Sequence, residues 1–444
     1  MASISFIDEI YNRKQQNNAT TELVTKYNIN TIVEDLHKAL VNDFGEIIAA
    51  IREHKQDKEV MRLKISDYLE KNGVTVPDIT RDDLIKKLMD EIFGYSILQK
   101  YIEDPEVNDI MVNAYDTIYI RRTFHDELVP ERFENHQKYM QFLQRVSSFV
   151  GEKLNETSPQ VDGTDKEFNL RINITSTPIN TYNPSLVIRK THGYISLDDI
   201  ARQGNISKAM YDTFKIFGKI NVRIMFAGQL ESGKTTFMNA YLDHIEHQRM
   251  VIMEDTPELK INSNSNVVYQ KTLEAKSEEG MVVTLADLVR NFRRTNGTMP
   301  VVGETRGVEA VELLNIFNTG FVAGASSIHA NSAKDVIRQL MFQIKSSGKL
   351  GVDRSELEEY IANSIDIIVY MEKRKVVEIV AVDYDEFNRR MVLTPIHTFH
   401  IERETRNVLE GEFNDYLNPF GQVLVDRVRR AGLINEIDKR LLPK

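Results

Sequence analysis

The run Gly228-Gln-Leu-Glu-Ser-Gly-Lys-Thr235 constrains this chain more than any other eight residues in it. It fits the pattern GxxxxGK[ST], with an apolar strand pattern (RIMFA) before it and a helical pattern (TTFMNAYLDHI) after it. Composition predicts on the order of 0.01–0.02 such matches by chance in a chain of this size. In a strand–loop–helix setting the loop N–H groups and the helix start converge on one spot, which suits a phosphate. Gly228, Ser232, Gly233, Lys234, Thr235 and Thr236 are therefore expected to bind nucleotide. Lys234 would reach the outer phosphates and the Thr235 hydroxyl would ligate Mg2+. The competing reading is a glycine-bearing turn that fits by accident; the flanking strand and helix argue against it. Glu231 is awkward in this loop, because its carboxylate repels phosphate unless it points outward.

Three further strand ends gather around this signal. MPVVGETRG places Glu304 after an apolar strand, where a carboxylate beside a phosphate loop holds the Mg2+ water shell or activates water. VIMEDTPEL ends another strand in Glu254 and Asp255, and GASSIHANSA puts His329 at a third. A lone histidine of this kind is more often a satisfied structural group. Four polar strand ends in one parallel sheet are a different matter, because ligands bind at the carboxyl edge of such sheets. Arg290, Arg293 and Arg294 lie on a helix before Glu304, where a solvated basic face is a slightly better reading than a direct role on nucleotide, and both stay open.

At 444 residues the chain is long enough for about three domains. Its 41% hydrophobic and 27% charged residues describe globular units with real cores and exclude a disordered tail. A net charge of −10 argues against coating nucleic acid, which needs clustered Lys and Arg. Zero cysteines exclude a disulfide framework, a Cys-ligated zinc site and a thiol nucleophile. The first residues have neither a basic flank nor a long apolar core, so no signal peptide is expected, and the longest apolar runs, such as Ile365–Met371, are too short to span a bilayer. A cytoplasmic location is the expectation.

Residues 1–30 read as an irregular leader. Val33, Leu36, Leu40, Ile47, Ile48 and Ile51 then follow helical spacing, as do Leu84, Ile85, Leu88, Ile92 and Phe93. VNDIMV, TIYIRR, NLRINITS and SLVIRK read as strands around a helix near 140–150. From Asn221 strands alternate with helices, which implies a largely parallel sheet covered by helices. VVEIVAVDY and RMVLTPIHTFHI look like an antiparallel addition, closed by a helix near 423–431. The expected division is a helical extension over 1–74, an α+β domain over 75–192, a linker over 193–212, a phosphate-loop domain over 213–375 and a β/helical region over 376–444.

With these motifs in this order, the chain resembles the traffic ATPases of type II and type IV secretion and type IV pili, most closely the Tad/Flp pilus branch called CpaF-like. Gly228–Thr236, Glu254–Leu259, Val302–Gly307 and Gly324–Ala333 match the family's Walker A, Asp box, Walker B and His box. DPEVNDIMVNAYDTIYIRR, PQVDGTDKEFNLRIN and LVIRK resemble its N-terminal-domain stretches. The resemblance implies an α/β fold, with a RecA-like P-loop ATPase domain preceded by a smaller α+β domain. It implies ATP and Mg2+ as cofactors, Glu304 and Glu254 as water- or metal-handling carboxylates, and His329 as a γ-phosphate sensor. Arg171 and Arg189 would act as arginines on a neighbouring subunit's nucleotide; their bland alternative is a strand-edge salt bridge. It also implies a homo-oligomer, a hexamer, that is peripheral to the inner membrane through a platform protein of a pilus or secretion machine. No direct nucleic acid is expected. A nucleotide-binding scaffold with slow or no turnover is the rival. Leu230 and Glu231 depart from the family's Thr and Gly, Pro300 interrupts a strand that is normally apolar, and Thr305 stands where Val or Ile is commoner.

Overall fold

The computed structural model describes residues 29–443, apart from 53–54, 75, 77–78, 123–124, 191–193, 264–265, 274–280, 349–352 and 406–407. The expected leader therefore lies outside the described residues up to 28. The chain divides into two compact units, Met1–His192 and Gly193–Lys444.

In the first unit, helices α1 (Ile29–Arg52), α2 (Lys58–Lys71) and α3 (Arg81–Phe93) share a core of Leu36, Leu40, Ile65, Leu69, Leu88 and Ile92. The charged run REHKQDKE contains the break between α1 and α2, and Asp57 within it caps α2 by accepting from the Glu59 N–H. Thr80 does the same for α3 at the Asp83 N–H. After α4 (Gln99–Glu103) come β1 (Val107–Ala114), β2 (Thr117–Arg122), β3 (His125–Val129), α5 (His136–Phe149), β4 (Gln160–Asp165), β5 (Leu170–Thr175) and β6 (Ser185–Lys190). The strands form an antiparallel sheet in the order β3-β2-β1-β6-β5-β4. Strict alternation decides the faces: Leu170, Ile172 and Ile174 of β5 are buried, which leaves Arg171 and Asn173 on the opposite face.

The second unit opens with α6 (Leu197–Arg202) and α7 (Lys208–Ile220). This is where a linker was expected, yet Ser196 and Asp199 form a capping box and Leu197, Ile200, Ile206 and Met210 enter the unit's core. Then follow β7 (Arg223–Gly228), α8 (Lys234–Asp243), β8 (Met250–Glu254), β9 (Val267–Lys271), α9 (Leu285–Asn291), β10 (Met299–Val302), α10 (Val308–Phe317), β11 (Gly324–His329), α11 (Ala333–Ser346) and α12 (Arg354–Ser364). β12 (Ile367–Glu372), β13 (Lys375–Asp385), β14 (Arg390–Glu404), β15 (Leu409–Asn414) and α13 (Gln422–Arg430) complete it. One sheet runs β15-β14-β13-β12-β7-β11-β10-β8-β9, parallel from β12 to β9 and antiparallel from β12 to β15. The C-terminal strands thus extend the central sheet rather than form one of their own. β7 is a continuous apolar run because both its faces are covered: Ile224 and Phe226 join one core, Met225 and Ala227 the other.

Pro300 fits this sheet by position. The N–H groups of Met299 and Gly303 go to β8, at Arg249 O and Met253 O, so alternation turns residue 300 toward β11. Pairing with β11 begins only at Val301, and the missing proline N–H breaks no ladder bond, so Pro300 lies within a short four-residue strand instead of interrupting it.

At the opposite end of β7 lies a buried ionic cluster. Asp366, 5% exposed, accepts from the backbone N–H of Arg223 at 2.8 Å and from its Nε and Nη2 at 3.0 and 2.6 Å. Arg427 of α13 adds Nη1 and Nη2 at 2.8 and 3.1 Å. Burial alone would raise the Asp366 carboxyl, but the two guanidinium groups hold it below the usual carboxylate range. Its contribution is therefore present above about pH 4 and lost as pH falls through the lowered value. Removing one member of such a cluster strands buried charge. Asp366→Ala should cost the second unit about 3–5 kcal/mol in denaturant unfolding at neutral pH. A loss under about 1 kcal/mol would show that α13 and β7 do not depend on this cluster.

Candidate functional site

The parallel ladder brings the four strand ends into one row. His329 pairs with Gly228 across β11 and β7, Val302 with Ser326 across β10 and β11, and Val302 with Met253 across β10 and β8. β10 ends at Val302, so Glu304 stands two residues beyond it, in the loop.

The phosphate loop connects β7 to α8. A Cβ at Gly228 would sit 2.3 Å from Met371 O and 2.4 Å from Ser232 Oγ, so glycine is needed there for close approach. Gly233 takes φ +90 and caps α8 with no side-chain bond, which leaves the first-turn N–H groups of the helix directed at the loop. Glu231 also holds a left-handed backbone, φ 62, so the glycine conformation is kept at a cost of about 1 kcal/mol. Leu230 is exposed.

Lys234 is only 7% exposed, and its ammonium bends back onto the loop carbonyls of Gly228 and Gln229 at 3.0 and 2.7 Å. Burial pushes its pKa down to about 8, with Glu304 opposing that shift. Lys234 Nζ also donates to His329 Nδ1 at 3.3 Å; an ammonium only donates, so the neutral imidazole carries its proton on Nε2. Burial and then Lys234 lower the His329 pKa, which keeps the ring neutral. His329 Nε2 in turn lies 2.9 Å from Glu304 Oε1. That contact lacks hydrogen-bond alignment, and among the described residues the buried Glu304 Oε1 has no hydrogen-bond partner.

Glu304 is fixed from several sides. Arg306 Nη2 donates to its Oε2 at 2.5 Å. Thr305, 2% exposed, sends both N–H and Oγ1 to Ser327 O at 2.8 and 3.1 Å, and Ser327 Oγ returns to Gly303 O at 2.7 Å. The departure to Thr thus adds an anchor on the residue next to Glu304. Burial works to raise the Glu304 carboxyl, yet Arg306, His329 and Lys234 hold it below the ordinary range. Glu254, 5% exposed, accepts from the Glu258 and Leu259 N–H groups at 3.0 and 3.2 Å. Burial pushes it up to about 7 against those two bonds. A Cβ on Gly303 would lie 2.8 Å from Glu254 Cγ, so that glycine lets the two acidic segments approach.

The residues fit a bound triphosphate. A nearly buried ammonium rests on loop carbonyls, a helix start has no side-chain cap, and the buried Ser232 Oγ has no hydrogen-bond partner among the described residues. Thr235 and Glu304 supply hard oxygen donors, as Mg2+ requires when phosphates complete its shell. Among the described residues no group of three or more acidic or histidine side chains forms a metal cage of its own.

Arg171 and Arg189 lie in the first unit, paired across β5 and β6. Arg189 Nε donates to Asp109 Oδ1 at 2.9 Å, and Arg171 stands 3.7 Å from Asp162. Each is therefore in a cross-strand ion pair of the ordinary kind. Arg290 pairs with Asp287 and Glu312, and Arg293 reaches Asn315 O, all ahead of the amino end of β10. Sequence reasoning gave no role to Arg306 or Arg374. Arg306 stood within the quoted VVGETRG motif; nothing local marked Arg374, whose N–H donates to Ser232 O from a hairpin distant in sequence.

Residues 92–375 match the model of the family described as Type II/IV secretion system protein. A putative conjugal transfer protein of Mycobacterium tuberculosis is 26% identical over 295 residues, covering 65% of this chain and 82% of that protein. The type IV secretion system protein VirB11 of Brucella suis is 26% identical over 61% of this chain and 81% of its own length. Among solved structures, the Brucella suis VirB11 ATPase with sulphate aligns at TM-score 0.32 and 20% identity, covering 67% of this chain and 90% of that one. The pilus retraction motor PilT with bound ADP aligns at TM-score 0.46 and 14% identity, covering 77% and 87%. Because the family model spans more than half of the sequence, the chain belongs to the type II/IV secretion system protein family.

Proposed function

We propose that this chain is an ATP-hydrolysing motor that works as a homo-oligomer, a hexamer, and powers assembly of a Tad-like pilus or a related secretion machine through a membrane platform protein. The observation that carries the reading is the linked row Lys234–His329–Glu304–Arg306 at the carboxyl edge of the parallel sheet. In that row the Lys234 ammonium and the Glu304 carboxylate are two contacts apart, joined through His329, which supports a phosphate-binding role for the first and a water-handling role for the second.

In this reading Gly233 and the start of α8 bind phosphate, and Lys234 exchanges its loop carbonyls for the outer phosphate oxygens. Thr235 and the Glu304 side would hold Mg2+, which when bound would supply neutralisation of the charge developing on the phosphates. Glu304 orients the attacking water through Oε1, because Arg306 occupies Oε2. When phosphate takes Lys234, His329 loses its donor at Nδ1, so the ring can report occupancy to Glu304. Glu254 assists from β8. Arg171 and Arg189 complete the site of a neighbouring copy. No helix among the described residues is long and apolar enough to cross a membrane. Glu231 in the loop favours a second reading, a scaffold that binds ATP and turns it over slowly.

Phosphate release separates the two. Lys234→Ala should lose nucleotide affinity, whereas Glu304→Gln should bind ATP normally and hydrolyse it at least about 100-fold more slowly. Parent-rate hydrolysis by the Gln form would refute the role given to Glu304.

Glu254 offers a test in stability rather than turnover. Its folded pKa lies above the unfolded one, so the folded state holds the extra proton between about pH 4 and 7 and loses relative stability as pH rises. Glu254→Gln keeps the acceptor for Glu258 and Leu259 and removes the buried charge. It should be more stable than the parent by about 1–3 kcal/mol at pH 8, with the gain gone near pH 5. A pH-independent difference would mean that Glu254 is not held in its neutral form by burial.

The arginine assignment is tested by mixing. Rings re-formed from Arg171→Ala and Lys234→Ala proteins contain some interfaces with both residues intact and should regain part of the parent turnover. No recovery in verified mixed rings would count against action in trans.

A further inference from the structure

The hairpin between β12 and β13 turns directly against the phosphate loop. Its two central residues, Lys373 and Arg374, both take positive φ, 45 and 68. Such turns favour Asn-Gly or Gly-Gly, because side chains strain that backbone. Strain retained beside a ligand loop marks a position where the side chain has work to do. Lys373 is anchored away from the loop, with Nζ on Glu404 Oε1 and Thr405 O, both at 2.5 Å. Arg374 is directed the other way. Its N–H donates to Ser232 O at 3.0 Å, and its Cα, Cγ and Cβ lie 3.5, 3.7 and 3.8 Å from the point where a Gly233 Cβ would stand.

This puts the Arg374 backbone on Ser232, next to Glu231, and its stem on Gly233, two residues from the carboxylate that the loop should not tolerate. Other arginines of this unit are engaged or placed elsewhere: Arg290 is on Asp287 and Glu312, Arg293 reaches Asn315 O, and Arg294 lies in the turn that leads toward the amino end of β10. Lys234 is spent on the loop carbonyls and His329. We propose that Arg374 is a positioning residue of the ATP site: it takes the Glu231 carboxylate and holds it on the outer side of the loop, away from the phosphates. Glutamate can then replace glycine without expelling the nucleotide. The inference rests on the ATP-binding reading above.

A double-mutant cycle on the full-length protein tests it, with the ATP dissociation constant measured directly for the parent, Glu231→Gly, Arg374→Ala and the pair. At low salt Arg374→Ala should weaken ATP binding about tenfold, because Glu231 is left to repel the phosphates. In the Glu231→Gly background the same change should matter by less than about twofold, and Arg374→Lys should retain most of the parent affinity. The gap should narrow at high salt. Equal weakening in both backgrounds, or no weakening in either, overturns the pairing. Thermal unfolding of the same four proteins without nucleotide gives a second cycle: coupled losses support the pair and additive ones refute it. Lys234→Ala serves as the control. If the parent binds ATP no better than that control, the nucleotide reading fails, while the unfolding cycle still decides the pairing.

Discussion

The Asp366 carboxylate, shared by Arg223 and Arg427, fixes where the central strand of the second unit begins. β7 starts at Arg223 and ends five residues later at Gly228, so anchoring one end sets the other to within the stiffness of a strand about 17 Å long. Gly228 in turn sets the phosphate loop, and β11, paired with β7 in register, sets His329. A buried carboxylate with one cation would be a liability. With two guanidinium groups and a backbone N–H it has enough donors to satisfy both oxygens, and the desolvation cost is met by directional bonds. Because Arg427 belongs to the last long helix, the C-terminal strands and α13 are part of the scaffold under the site and not an appendage to it.

The site follows from how a parallel sheet ends. Every strand from β12 to β9 points the same way, so each contributes a loop to one edge and its polar residues meet there. Tethers then narrow the freedom of each loop. Thr305 and Ser327 tie the segment after β10 to β11, and the absence of a side chain at Gly303 lets Glu254 close in from β8. The two carboxylates end in different environments: Glu304 faces three cationic or polar partners and stays ionised, whereas Glu254 is buried with two N–H donors and is pushed toward neutrality. Pairs of acids separated in this way are suited to different tasks in one reaction.

Much of this was legible in the sequence, and the parts that were not share a cause. The phosphate loop, the strand ends at Glu254 and His329 and the segment carrying Glu304 were all readable, because each is a local pattern of apolar run and polar stop. The α6–α7 segment looked like a linker, since Gly193 and Gly204 and its polar residues outweigh four core positions spaced over 14 residues; only packing reveals that Leu197, Ile200, Ile206 and Met210 point inward together. Asp366 ended an unremarkable helix-to-strand passage. Its meaning lies in Arg223 and Arg427, far away in sequence, and no local window contains all three. Arg374 escaped notice for the same reason.

That last case bears on how a motif departure should be read. A glutamate in a phosphate loop, considered alone, suggests decay of binding. Its backbone nevertheless adopts the left-handed form that glycine takes without strain, so the residue holds a glycine-like turn in the loop. The adjoining hairpin places a second pair of positive-φ residues, one of them an arginine, against the same few atoms. Two strained segments in contact are unlikely partners unless each makes the other tolerable, since either could be relieved by glycine at little cost to the fold. A decayed loop would be expected to lose its strain and its buried lysine together. Here the strain, the buried Lys234 and the held Glu304 persist side by side, so Glu231 by itself is no sign that the loop has been given up.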